Sequence, residues 1–536
     1  MSKDKIIKNL TEENALLKAQ LSKYEEIISK LESKIEALER NEKIYLEALS
    51  LAKKKQFGSS SEKTPQPEYE ELGLFNESEL EYTDNPVEPV VKTPQGIKKK
   101  EPKSGREKLI NKNLIETKIV NCTLPANKRK CPVCGEEMRK IGMEFVREDV
   151  QLIPAKLVVR RYFRESYECR KCKIKNKPVI IKARVPQPVL AHSLASASTV
   201  AHVMYQKYVQ AVPLYRQEKD WLRLGFDLSR STMANWVIRS CEDWLEPLVD
   251  RMKLYHLLKE SILHCDETPV QVLKEEGKKA ESKSYMWVYR TGKYAEKQIV
   301  IYDYNKSRSG EVPKKFLGDF DEYFHTDGYA GYNNLHVTRC SCWAHMRRYW
   351  CEAIIVEVPG AEKSSAEIGR DFCDKLFHIE SQLENLTSAE RKEERIRQEK
   401  PLLEAYWCWV ENLNALKGTR LEKAVTYAKN QKKYLENYLL DGKCVISNNL
   451  AENAIRPFTI GRKNWLFCDS VRGAKASAAV YSLIETAKAN NLDVFDYLEY
   501  LLTMLPSIDF RNHPEYLDDY LPWGKCVADY FERFKA

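Results

Sequence analysis

The chain has 536 residues, 43% of them hydrophobic and 31% charged, with a formal net charge of +9. At roughly 100–200 residues per domain, this length exceeds one compact domain and provides for several. No uncharged apolar run of about 18 residues occurs, which excludes a transmembrane helix, and the charged opening MSKDKIIKNLTEEN does not read as a secretory signal. A cytoplasmic chain is expected, and the positive charge permits a nucleic-acid partner without requiring one. Fifteen cysteines, an odd number in a long chain, argue for metal ligation over a disulfide framework.

The first fifty residues carry a heptad. With Ile7 at position a, the a series runs Ile7, Asn14, Leu21, Ile28, Ile35, Glu42, Leu49, and the d series Leu10, Leu17, Tyr24, Leu31, Leu38, Tyr45. Such a seam predicts a coiled coil that makes a homodimer, with Asn14 setting register. The alternative is an amphipathic helix packed on the protein's own core. From Thr64 to Val91 the chain is acidic and without a basic residue, then from Lys92 it turns basic, with prolines throughout. That composition predicts a linker.

Cys131-Pro-Val-Cys134 and Cys169-Arg-Lys-Cys172 are two CxxC hooks, suited to tetrahedral structural zinc. The stretch between them, LIPAKLVVRRYFRESYEC, alternates like a β-hairpin and is rich in arginine, so DNA contact is expected. Residues 186–250 read as helices. Pro213 opens one and Gly225 ends it, Ser229 or Ser231 can cap the next, and the outline is that of a helix-turn-helix. Its second helix would present Arg230, Thr232, Asn235 and Arg239 to DNA, although an ordinary helical subdomain fits the pattern equally well.

From Ser261 the grammar changes to three strands, a helix-like stretch, two further strands, and a helix beginning at MRRYWCEAI. This is the order of an RNase H-like α/β core, with Asp266 on the first strand and Asp327 just after the fourth. A charged helical insertion over about 357–440 precedes SNNLAENAIRP, where Glu452 lies on a helix. Three such carboxylates can hold Mg²⁺ (or Mn²⁺) for phosphoryl transfer, but in a chain with 78 acidic residues spacing alone does not select them. Arg347, Arg348, Arg462 and Lys463 are candidate DNA contacts. His345 is a candidate neighbour of the carboxylates or a core histidine, and Trp465 is read as core in preference to a base-stacking residue.

The strings HCDETPVQVL, HTDGYAGY, CWAHMRR, NNLAENAIRP and GRKNWLF, in this order, resemble transposases of the insertion-sequence-sixty-six family. So do the zipper ending in QFGSSSEK, the two CxxC hooks, and the PLYRQ…LSRSTMANWV block. The resemblance implies an Asp-Asp-Glu transposase whose catalytic, magnesium-holding acids are Asp266, Asp327 and Glu452, and whose partners are element-end DNA, target DNA and small accessory proteins encoded by the same element. Asn453 stands where a basic residue is expected. The resulting architecture is multidomain: a coiled coil (1–56), a linker (57–118), a zinc β-ribbon (119–183), a helical DNA-binding module (184–255), an RNase H-like catalytic domain (256–487) and a helical cap (488–536). The rival readings are an RNase H-like nuclease without strand transfer and a DNA-binding regulator with an inert core.

Overall fold

The computed structural model describes residues 14, 17, 18, 20–35, 38, 42, 136, 156–168, 180–355 and 363–532. The four cysteines of the CxxC hooks and the linker lie outside these residues. Among the described residues no helix is long and apolar enough to cross a membrane. Residues 20–35 are helical (α1), and the a and d side chains Leu21, Tyr24, Ile28, Leu31 and Ile35 are exposed.

The chain divides into two units. The smaller contains the strands β1 (Ser166–Glu168) and β2 (Ile180–Lys182), which pair antiparallel with Tyr167 opposite Ile181. The strand signal expected from Leu157 to Phe163 is not realised. Those residues form no strand, and Val158, Val159 and Phe163 are exposed. The pairing that is described joins residues 166–168 to 180–182.

The larger unit opens with helices α2 (Ala197–Tyr208), α3 (Leu214–Arg223, continuing into the smaller unit), α4 (Arg230–Ser240) and α5 (Glu246–Tyr255). Ser196 caps α2 in a capping box with Thr199, and Ser229 caps α4 through the Thr232 amide, so local hydroxyls set both helix starts. Gly225, at φ +86°, ends α3 as the sequence suggested.

The sheet follows. Its strands are β3 (Ile262–Lys274), β4 (Lys283–Thr291), β5 (Val300–Asn305), β6 (Tyr323–Thr326) and β7 (Thr338–Ser341), with α6 (Glu311–Leu317) between β5 and β6. Their spatial order is β5-β4-β3-β6-β7: the first three antiparallel, β6 and β7 parallel to β3. β3 and β4 are buried along nearly their whole length, as strands covered on both faces must be, and their apolar content reflects it. Helix α7 (Trp343–Ala353) begins three residues earlier than the MRRYWCEAI reading, which puts His345 in its first turn.

Helices α8 (Ser365–Leu383), α9 (Ser388–Glu411) and α10 (Arg420–Leu435) occupy the stretch read as an insertion, helical as expected, and pack their apolar faces on α7. The chain returns through α11 (Asn449–Trp465), β8 (Phe467–Ser470), α12 (Val471–Ala489) and α13 (Val494–Met504). β8 pairs parallel with the far half of β3. α12 covers the edge strand β5, and the Thr486 and Ser482 hydroxyls accept hydrogen bonds from the Val300 and Tyr302 amides at 3.0 and 2.8 Å. An edge that would otherwise present bare amides is thereby closed. α2 lies against α13, with Tyr205 edge-on to Phe495 at 6.0 Å, so this helix packs with the C-terminal helices and not as a separate body.

Gly369 of α8 meets the fully buried Trp350 of α7, and a Cβ there would lie 2.4 Å from the indole. Alanine gains up to about 1 kcal/mol of helix propensity over glycine, but overpacking a core costs about 1–3 kcal/mol, so the clash should win. Gly369→Ala is expected to lower the melting temperature. Gly473→Ala, in the first turn of α12 with only Ser470 Oγ nearby at 3.5 Å, should leave it unchanged or raise it. Equal melting of the two variants in a thermal scan would contradict this packing argument.

Candidate active site

Three elements bring their acids to one place. Asp266 lies within β3, Asp327 is the first residue beyond β6, and Glu452 sits in the first turn of α11, only 4% exposed. Burial and the nearby charges of Glu267, Glu452 and Asp327 hold the Asp266 carboxyl well above the usual carboxylate range. One oxygen of each aspartate is anchored by backbone: Asp266 Oδ1 accepts from the Glu267 amide at 2.8 Å, and Asp327 Oδ1 from the Tyr329 amide at 2.9 Å. The Asp327 carbonyl accepts from Thr326 Oγ1 and Arg339 Nη2. The glycine of the HTDG string has a steric reason, since a Cβ on Gly328 would sit 2.5 Å from the Tyr427 ring of α10.

Glu452 owes its position to Asn448, the residue before α11. Its side-chain amide donates to the Cys265 carbonyl at 2.8 Å, its Oδ1 accepts from His264 Nδ1 at 3.0 Å, and its backbone amide donates to Cys342 Sγ at 3.1 Å. The Trp343 amide donates to the Ile446 carbonyl at 3.1 Å. The helix start is thus fastened to β3 and to the start of α7 together. His345 Nδ1 lies 3.6 Å from Glu452 Oε1, and Arg348 Nη2 lies 4.0 Å from Oε2. Cys342, His345 and Glu452 form a compact buried group.

A fourth carboxylate, Glu267, was not singled out from the sequence. It is buried on the face of β3 opposite Asp266, where Arg308 Nε donates to it at 2.7 Å and the Tyr332 hydroxyl donates to its other oxygen. Arg308 also lies over the Tyr329 ring at 4.1 Å. The only sequence signal was adjacency to Asp266; nothing in the spacing connects residues 267, 308 and 332.

The remaining candidates are scattered. Arg230, Asn235 and Arg239 are exposed on α4, whereas Thr232 is half-buried and bonded to Ser229. Arg347 Nε is paired with Asp374 at 2.6 Å. Lys463 is exposed, whereas Arg462 is buried and donates to Thr268 Oγ1 at 3.1 Å, which braces β3. Consecutive residues on a helix face different ways, which is why the Arg-Lys pair splits. Trp465 packs edge-on against Phe458 at 5.3 Å, in keeping with a core role.

Comparison with known proteins places this arrangement. The Transposase IS66 family matches residues 192–476, more than half of the chain, and that span includes all three acids. The chain belongs to the Transposase IS66 family. Residues 128–173 match the zinc-finger binding domain of transposase IS66, which supports structural zinc, and residues 482–523 match the IS66 C-terminal element. Among curated relatives, the chain is similar to the uncharacterized protein y4qI of Sinorhizobium fredii, with 29% identity over 377 residues and 67% of each chain covered. It is also similar to the uncharacterized protein y4jD of the same organism, with 26% identity over 412 residues, covering 74% of this chain and 78% of the relative.

Burial, with Asp327 nearby, pushes the Glu267 carboxyl of this IS66-family chain up to about 7. A carboxyl raised in the fold contributes stability fully present below its unfolded value, near 4.5, and lost as pH rises through about 7. The melting temperature of metal-free protein should therefore fall between pH 4.5 and 7.5, and Glu267→Gln should flatten that slope. Parallel slopes for the two proteins would count against this assignment.

Proposed function

We propose that this chain is a DNA transposase that binds the ends of an insertion sequence, cleaves a strand there and joins it to target DNA, with divalent cations. The observation that carries the reading is the gathering of Asp266, Asp327 and Glu452 from a strand, a strand end and a helix into one cluster. The strand order, three antiparallel strands followed by two parallel ones, supports an RNase H-like core.

The three acids offer the oxygen donors that suit a hard cation, in a site whose mutual repulsion raises the proton affinity of Asp266, with His345 and Cys342 also beside Glu452. Asp266, Asp327 and Glu452 would hold Mg²⁺ or Mn²⁺. When bound, such ions activate the attacking oxygen and stabilise the leaving oxygen of an in-line phosphoryl displacement. The protein's own part is to hold its acids in place: backbone amides orient the two aspartates, while Asn448 and His345 hold Glu452 toward them. Water is the first nucleophile, freeing a 3′-hydroxyl at the element end, and that hydroxyl then attacks target DNA.

Cys131, Cys134, Cys169 and Cys172 would hold the zinc of the finger. The exposed Arg230, Asn235, Arg239 and Lys463 are the DNA contacts we retain, with Arg348 beside Glu452 near the scissile phosphate. The exposed apolar stripe of α1 supports a coiled-coil homodimer.

Asp266→Ala, Asp327→Ala and Glu452→Ala should each abolish cleavage and strand transfer in an assay with labelled element-end DNA, target plasmid and Mg²⁺, while DNA binding persists. Because the three act as a unit, each single loss should approach the triple loss, and the exposed Glu393→Ala should cost little. Ca²⁺ should support binding without cleavage. Full strand transfer by Glu452→Ala would remove it from the site, and cleavage without any strand transfer by the wild type would favour a nuclease.

Deleting residues 1–50 should convert a dimer into a monomer with the remaining fold intact. Light scattering that finds the full-length protein monomeric would defeat the coiled-coil reading.

A further inference from the structure

We propose that His325, Cys340 and Cys444 form a second metal site, for a thiophilic divalent cation of the zinc class, beneath the candidate active site and separate from the zinc finger. His325 on β6 and Cys340 on β7 are direct register partners, so their side chains stand side by side on one face of the sheet. Cys444 reaches the same place from the connection that leads to α11. The three are buried, and one imidazole nitrogen and the two sulfurs all lie within 4.8 Å of one another. Tetrahedral zinc, with bonds of about 2.0–2.3 Å, needs its ligand atoms about 3.5–3.8 Å apart, so a shift of at most about 1 Å closes the set.

The surroundings are built for such a site. The backbone of Cys444 is pinned by Arg395, fully buried, whose Nη2 donates to the Cys444 carbonyl at 2.9 Å. His325 Nε2 is buried with no hydrogen-bond partner. Its ring stacks on His264, the register partner on β3, with centroids 4.3 Å apart. Because an amide oxygen only accepts, the bond to Asn448 Oδ1 makes His264 Nδ1 the donor and leaves its Nε2 as a bare lone pair. That Nε2 is likewise buried without a hydrogen-bond partner, but it stands outside the three-residue group, so the fourth position is left open to an exogenous ligand. Two thiolates balance a divalent charge, so the occupied site would be neutral inside the core. The alternative, two thiols and a histidine packed as small hydrophobes, leaves the buried His325 Nε2 unsatisfied.

The position gives the site a purpose. His264 and Asp266 share a face of β3, as do His325 and Asp327 at the end of β6, so the metal would sit one step along the strands from the candidate acids. It would tie β6, β7 and the connection to Glu452 together.

Zinc in purified full-length protein, measured by elemental analysis, should be two per chain. Cys134→Ser should retain one, and Cys340→Ser/Cys444→Ser should also retain one. Cobalt-loaded Cys134→Ser should show a thiolate-to-cobalt absorption band that is absent when Cys340 and Cys444 are also replaced. A folded Cys134→Ser protein with neither zinc nor that band would overturn the site even if the double variant failed to fold. So would metal content unaffected by the double substitution, or an intact mass showing a Cys340–Cys444 disulfide.

Discussion

Asn448 is the residue on which the geometry of the candidate site turns. Through three hydrogen bonds it joins β3, the start of α7 and the start of α11, and those elements carry Asp266, His345 and Glu452. A short polar side chain suits the task because an amide offers a donor and an acceptor on one rigid plane, and both are used here. Buried hydrogen bonds of this kind are worth only about 1 kcal/mol each, yet leaving their partners unmade costs about 1–3 kcal/mol. The constraint therefore acts by making every other placement of α11 expensive.

The helical insertion contributes to the same end. Arg391 and Arg395 are buried within it, and their guanidinium groups donate to main-chain carbonyls: Arg391 to Leu383, Glu384, Leu386 and Gly442, Arg395 to Tyr438, Asp441 and Cys444. Arg395 is also forked onto Glu380 at 2.5 and 2.8 Å. These bonds satisfy the carbonyls at the end of α8 and those of the connection into α11, where no regular ladder is available. The insertion thus braces the stretch of chain that delivers Glu452, while Tyr427 closes over Gly328 beside Asp327.

Several acids in one buried cluster repel each other, and the protein offsets that in two ways. Backbone amides take one oxygen of each aspartate, and Arg308 with Tyr332 neutralises Glu267 on the opposite face of the strand. The Asp266 carboxyl is nonetheless held well above its ordinary range by burial and by its acidic neighbours. Such a site has a stronger affinity for protons or cations than any of its groups would have alone, as sites shaped by like charges generally do.

Much of this was legible in the sequence because it depends on local patterns. Strand and helix order from Ser261 onward, the hydroxyl cap of α4, the glycine end of α3 and the helical insertion all follow from periodicity and turn chemistry that act over a few residues. The family motifs marked Asp266, Asp327 and Glu452, and the fold gathers them. What local pattern could not supply were the long-range partners. Glu267 is joined to Arg308 and Tyr332 across 41 and 65 positions, and Asn448 to His264 across 184. Pro457 would ordinarily end a helix, yet α11 continues to Trp465, fastened to the sheet where Arg290 and Tyr302 donate to the Leu450 and Ala454 carbonyls. The alternation at Leu157–Phe163 promised a strand that did not form: a period of two permits a strand, but the pairing that makes one is a tertiary matter. Local sequence pattern determined most of the helices and strands and marked the candidate acids; only the tertiary structure decided which residues face one another, because register and burial are properties of pairs of segments and not of either one alone.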